Sequence, residues 1–125
     1  MQTDKIKFYP TKPSTALSDK MEEECGVFAL YDTKPIDNVA YLAYCGLFSL
    51  QHRGQESAGI TVANHGHLDT FKGMGLVSEV FNTDELVHKI GNAAIGHVRY
   101  STTGSSNLAN AQPLFAHARC SPAQQ

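Results

Sequence analysis

The sequence predicts an α+β domain, a largely antiparallel sheet with helices packed on a face. Two features predict it: short apolar runs of strand type outnumber the helical stretches, and the connections between them are short and carry Gly or Asn. Strands joined by such short turns have no room for a crossover and pair antiparallel. At 125 residues, the chain has the length of one domain of modest size.

Residues 1 to 24 read as a tail, with two prolines, a Ser/Thr cluster, Lys20 and the acidic triplet Glu22, Glu23 and Glu24, a composition that builds no core. The character changes at Gly26, where "GVFALYD" is a compact run of strand type. Asp37 or Asn38 is then placed to cap a helix through "NVAYLAYCGLFSLQHRG". Its apolar positions Val39, Leu42, Ala43, Leu47 and Leu50 follow three- and four-residue spacing, and Gly54 is the stop signal. Cys45 inside this helix is expected to pack in or near the core, because a free cysteine behaves as a small hydrophobe. Three short strands are expected next, "SAGITVA", "HLDTFK" and "LVSEVF". "TDELVHKI" reads as a short helix capped by Thr83, with acids in its first turn. "AAIGHVRY" is another strand, and "STTGSSNLANAQP" a polar Gly/Ser-rich loop.

Composition narrows the function classes. A net charge of -2 with 18% charged residues calls for neither nucleic acid nor an anionic membrane as partner. No window approaches the run of about 18 apolar residues that a spanning helix needs. The first twenty residues lack the apolar centre of a secretory signal and carry acids that a transit peptide avoids, so a cytoplasmic protein is expected. Cys25, Cys45 and Cys120 are too few and too unevenly spaced for a disulfide scaffold or a zinc site. His65 and His67 flank Gly66 between strand-like runs, which reads as a hairpin turn in preference to a metal site. No metal or other cofactor is expected in this chain.

The chemistry centres on Cys25, directly after the acidic triplet and before Gly26. Cleavage of the Glu24–Cys25 bond would give Cys25 a free α-amino group beside its own thiol. With an ordinary pKa of about 7.7 to 8, that amine can take the thiol proton and return it to a leaving amine. The alternative is one more small apolar residue at a strand start. "LQHRGQESAGI" and "GHVRYSTTGSSNLANAQP" place Arg53 past a helix end and Arg99 past a strand. Either guanidinium could clamp a substrate carboxylate through two parallel hydrogen bonds, with the Ser101, Thr102 and Thr103 hydroxyls beside Arg99. Bonding to loop carbonyls is the alternative for each arginine.

Taken together, "CGVFALYD", "LQHRGQESAGI", "KGMGLVSEVF" and "GHVRYSTTGSS...NAQP" resemble the N-terminal glutaminase domain of the amidophosphoribosyltransferase family, over about Cys25 to Pro113. Other class II amidotransferases share the leading Cys-Gly and the Arg-Gly after the first helix, and stand as the alternative family. The resemblance implies an N-terminal nucleophile hydrolase fold, a four-layer αββα sandwich of two antiparallel sheets between helices, of which residues 25–113 would be the first half. It implies that residues 1–24 are a propeptide and that Cys25 attacks the glutamine side-chain amide, releasing ammonia and leaving a glutamyl thioester for water to hydrolyse. It further implies that Arg99 binds the glutamine α-carboxylate with Thr102 beside it, that Arg53 supports the nucleophile end of the site, that Gly54 permits the turn there, and that "KGMGLVSEVF" serves as scaffold. At full length the family uses phosphoribosylpyrophosphate on a further domain with magnesium, in some members carries an iron–sulfur cluster, forms homo-oligomers, and supplies phosphoribosylamine to purine synthesis.

The ending "LFAHARCSPAQQ" departs from the family pattern, in which a "His-Asn-Gly-Asn-Leu" segment supplies the oxyanion hole and a later aspartate binds the glutamine α-amino group. Residues 114–125 are therefore expected to be a divergent tail of a truncated chain. Loss of one oxyanion donor costs roughly 10²- to 10³-fold in turnover. Little or no glutaminase activity is expected of the chain alone, and half a sandwich would leave an apolar sheet face exposed. A non-catalytic interaction protein is the second functional expectation.

Overall fold

Alternation of apolar and small or polar residues along each strand builds the fold, because successive side chains of a strand point to opposite faces of its sheet. The structure is a computed structural model that describes residues 25–100 and 106–118. The described strands are β1 (Gly26–Ile36), β2 (Ser57–Asn64), β3 (His67–Met74) and β4 (Gly91–Arg99). They form one sheet in the order β1-β4-β2-β3, and every neighbouring pair is antiparallel. Helix α1 (Val39–Ser49) and the single turns α2 (Val77–Val80) and α3 (Thr83–Leu86) complete the main elements. Short 3₁₀ turns follow at Gln51–Arg53 and Leu108–Asn110.

One face of the sheet carries the core. Phe28 and Leu30 of β1, Ala58, Ile60 and Val62 of β2, and Ala94 and Val98 of β4 gather with Val39, Ala40, Ala43 and Leu47 of α1, and Val77, Phe81 and Leu86 close the cluster. Full burial of a side chain such as Leu47 or Ile60 contributes about 1.5–3 kcal/mol. The helix approaches β4 closely because Gly96 has no side chain; a Cβ there would meet Leu47 at 2.8 Å.

The opposite face is composed differently. Cross-strand rows run Val27–His97, Gly59–Lys72 and Ala29–Ile95, Thr61–Thr70, with Tyr31 and Leu68 at the margins. Val27 and Tyr31 are 68% and 73% exposed and Ile95 46%, so this face is apolar but largely uncovered among the described residues. The segment after the second 3₁₀ turn lies over part of it. Lys72 Nζ donates to the Ala111 carbonyl at 3.0 Å, and Leu114 and Phe115 border a cavity of about 200 Å³ with Thr61, Leu68, Thr70 and Ile95.

Several sequence expectations hold. The strands at "GVFALYD", "SAGITVA", "HLDTFK" and "AAIGHVRY" form, and His65 and Gly66, with φ of 46° and 80°, make the two-residue β2–β3 turn. Four details differ. "LVSEVF" is a helical turn and not a strand: Gly75, at φ 118°, redirects the chain, and the Glu79 carboxylate accepts the Leu76 N–H at 3.0 Å, satisfying a donor at the turn's start. The cap of α3 is Asn82, whose side chain accepts the Asp84 N–H at 3.1 Å, and not Thr83. Helix α1 stops at Ser49, before the 3₁₀ turn, and Asn38 precedes it without a side-chain cap bond. Cys45 is exposed, on the side of α1 opposite Ala43 and Leu47 and among Tyr41, Tyr44 and Phe48. Two residues advance a helix by about 200°, so a position between two buried ones points outward.

Candidate active site

The start of β1 and the end of β4 meet at one edge of the fold, where the register sets Gly26 opposite Val98 and Val27 opposite His97. Cys25, one residue before β1, therefore lies beside the exit of β4. Its exposed thiol engages the Tyr100 main chain twice. Sγ accepts the Tyr100 N–H at 3.4 Å, and the S–H donates to the Tyr100 carbonyl at 3.7 Å. Tyr100 follows Arg99 directly, so the thiol at the head of β1 rests against the main chain one residue past the arginine expected to bind substrate.

Arg53 reaches this edge from the 3₁₀ turn after α1, where its Nε donates to the Cys25 carbonyl at 3.5 Å. Gly54 follows in extended conformation, with φ of -160° and ψ of 120°. No left-handed turn requires glycine there. Space does: a Cβ would stand 2.7 Å from the carbonyl carbons of both Val98 and Arg99. Gln51 ties the same turn down, its amide donating to the Gly54 carbonyl at 2.8 Å and its Oε1 accepting the Val77 N–H at 2.6 Å.

Arg99 is held within the fold. Its Nη1 donates to the Asn110 carbonyl at 3.3 Å, and its Nε lies 4.0 Å from Glu56 Oε2. Glu56 is fastened by its backbone, its N–H donating to the Arg99 carbonyl at 3.1 Å and its carbonyl accepting from Gly75 at 2.8 Å. Both of its carboxylate oxygens are buried and accept no hydrogen bond among the described residues. His97, two residues before Arg99 and on the same side of β4, is also buried, and its Nδ1 has no partner among the described residues. Burial holds its pKa below the ordinary histidine value, and the Arg99 charge adds to the effect.

The structure thus brings together Cys25, Arg53, Gly54 and the Arg99 strand end, while Thr102 lies outside the described residues. Sequence reasoning missed Glu56, Gln51 and His97. An acid and two amides within "LQHRGQESAGI" are the only signal of the first two, and nothing in the string distinguishes them from solvated loop residues. Among the described residues no three His, Cys, Asp or Glu side chains converge. Nor is any described helix long and apolar enough to cross a membrane.

One antiparallel sheet with its helical layer on one face is part of an α+β sandwich of the N-terminal nucleophile hydrolase class, the fold of the solved structures it matches. Comparison with known proteins makes the assignment particular. The chain is 51% identical over 122 residues to the amidophosphoribosyltransferase of Synechococcus elongatus, covering 90% of this chain and 24% of that protein. It is 54% identical over 93 residues to that of Mycobacterium tuberculosis, covering 74% and 17%. Among solved structures, glutamine phosphoribosylpyrophosphate amidotransferase from B. subtilis, complexed with ADP and GMP, matches at a TM-score of 0.61 and 42% identity, over 74% of this chain and 19% of that one. The allosteric regulatory enzyme of purine biosynthesis matches at 0.61 and 45%, over 70% and 18%. No family model matches. The chain belongs to the amidophosphoribosyltransferase family, and spans about a quarter or less of the length of these relatives.

Proposed function

We propose that this chain contributes the nucleophile half of a glutaminase site, hydrolysing glutamine to supply ammonia for phosphoribosylamine formation from phosphoribosylpyrophosphate in purine synthesis. The observation that carries this reading is the Cys25 thiol held against the Tyr100 main chain, one residue from Arg99. Residues 1–24 are a propeptide, and cleavage of the Glu24–Cys25 bond frees the Cys25 α-amino group. That amine accepts the thiol proton, and Sγ bonds to the side-chain amide carbon of glutamine to give a tetrahedral oxyanion. The amine returns the proton to the departing nitrogen, the C–N bond breaks, ammonia leaves and a glutamyl thioester remains. Water, deprotonated by the same amine, cleaves the thioester to glutamate and regenerates the thiol. Arg99 pairs with the substrate α-carboxylate, with the Thr102 hydroxyl beside it. Arg53 holds the carbonyl of the nucleophile residue, and Gly54 lets that turn close on β4. Phosphoribosylpyrophosphate, magnesium and any iron–sulfur cluster belong to other parts of a whole cytoplasmic, homo-oligomeric enzyme.

The test is alkylation by the diazoketone analogue of glutamine. The thiol sulfur bonds to its terminal carbon, that carbon takes up the thiol proton, and dinitrogen leaves. A chain beginning at Cys25 is expected to be labelled at Cys25, more slowly in the presence of glutamine, and the chain retaining residues 1–24 much less. Labelling that glutamine does not slow, or that spares Cys25, contradicts the proposal.

A further inference from the structure

Glu56 is a carboxylate that the reaction above does not use, yet it lies at the centre of the site's geometry. Burying an ionised carboxylate without hydrogen bonds costs several kcal/mol, and such a group persists where a nearby charge compensates it. Among the described residues, both buried Glu56 oxygens accept no hydrogen bond, and the compensating charge is the Arg99 guanidinium, its Nε at 4.0 Å. With both oxygens buried beside the guanidinium, the route by which Glu56 acts is the arginine. A guanidinium is planar, so a hydrogen bond at one nitrogen and an opposite charge beside another favour one plane and one direction for the rest of the fork. Glu56 draws on Nε while the Asn110 carbonyl accepts from Nη1 at 3.3 Å.

The backbone makes the same link. The Glu56 N–H donates to the Arg99 carbonyl at 3.1 Å, and Ser57, the next residue, pairs with Arg99 in the sheet. The two side chains are thereby launched from paired backbone, Arg99 at the end of β4 and Glu56 just before β2. Resting on the glutaminase reading, we propose that Glu56 is a positioning residue: it orients the Arg99 guanidinium so that the substrate α-carboxylate meets a preset fork.

The test compares two alkylators of Cys25, the diazoketone analogue of glutamine, which needs the carboxylate clamp, and iodoacetamide, which does not. It uses whichever form of the chain labels as wild type, and peptide mass mapping reads Cys25 separately from exposed Cys45. Glu56→Gln keeps the volume and removes the charge. It is expected to slow diazoketone labelling about tenfold or more while leaving the iodoacetamide rate at Cys25 within about twofold, with Glu56→Asp recovering part of the loss. A purely structural role would change both rates together or neither, and either result overturns the proposal. If Glu56→Gln does not fold, Glu56→Asp decides: a raised glutamine concentration for half-protection supports positioning, and an unchanged one overturns it. Failure of the wild type to label removes the glutaminase reading itself, whereas a labelled wild type with an equally fast Glu56→Gln removes only the role of Glu56.

Discussion

Gly54 lies flat against the main chain of Arg99, close enough that a methyl carbon at position 54 would stand 2.7 Å from the Arg99 carbonyl carbon. The contact joins the turn carrying Arg53 to the strand carrying Arg99, and neither backbone can yield without moving the other. Cys25 hangs between them, tied to Arg53 through its carbonyl and to Tyr100 through its sulfur.

Gly54→Ala is therefore expected to separate the turn from β4 while leaving the core intact. Forcing extra volume into packed backbone costs about 1–3 kcal/mol. For a chain of this size, each kcal/mol lowers the unfolding midpoint by roughly 4–8 °C. Thermal unfolding followed by circular dichroism checks the first effect. Glutamine-protected labelling of Cys25 checks the second, and it should weaken beyond what the fraction unfolded explains. A variant with wild-type midpoint and labelling would show that the two backbones do not depend on each other.

Much of this fold was legible because burial on one side leaves a mark in the string. Ala58, Ile60 and Val62 alternate with Ser57, Gly59 and Thr61, and that period of two announces β2 before any coordinate is known. Helix α1 is announced by Val39, Ala43 and Leu47, but its outer side is aromatic and apolar too, with Phe48 56% exposed, so the pattern could not say which way Cys45 pointed. The error at "LVSEVF" has another cause: four apolar residues in six resemble a strand, and only the reach of the Glu79 side chain back to the Leu76 N–H, with Gly75 at positive φ, makes a helical turn there. In the site, Cys25, Arg53 and Arg99 stood out by residue type and place. Glu56 and His97 did not, because their significance is burial beside Arg99, a property of three dimensions.

His97 sets a pH dependence whose sign follows from its environment. Burial and the Arg99 charge lower its folded pKa, so the folded chain resists protonation while the unfolded chain accepts a proton at about pH 6.5. The stability this group contributes is complete above about pH 6.5 and is lost as the pH falls through the depressed folded value. The wild-type unfolding midpoint is accordingly expected to drop between about pH 7 and about pH 5, and His97→Gln, which has nothing to titrate there, to flatten that part of the profile. An identical slope in the two proteins would assign the acid lability to other groups.

The two faces of the sheet make opposite predictions for one kind of substitution. Ile60 is fully buried against α1, whereas Val27 and Ile95 stand on the opposite face at 68% and 46% exposure. Replacing Ile60 by Thr removes apolar contact and introduces a hydroxyl without a partner, a loss of about 2–5 kcal/mol. Val27→Thr and Ile95→Thr leave their hydroxyls wet and cost within about 1 kcal/mol. They also break up an apolar surface that, uncovered, drives association. The double variant Val27→Thr with Ile95→Thr should raise the concentration at which the isolated chain stays monomeric in sedimentation and lower its binding of a hydrophobic dye, with a midpoint close to wild type. If it unfolds the chain as severely as Ile60→Thr does, the second face is covered in solution and the described sheet is not half-open.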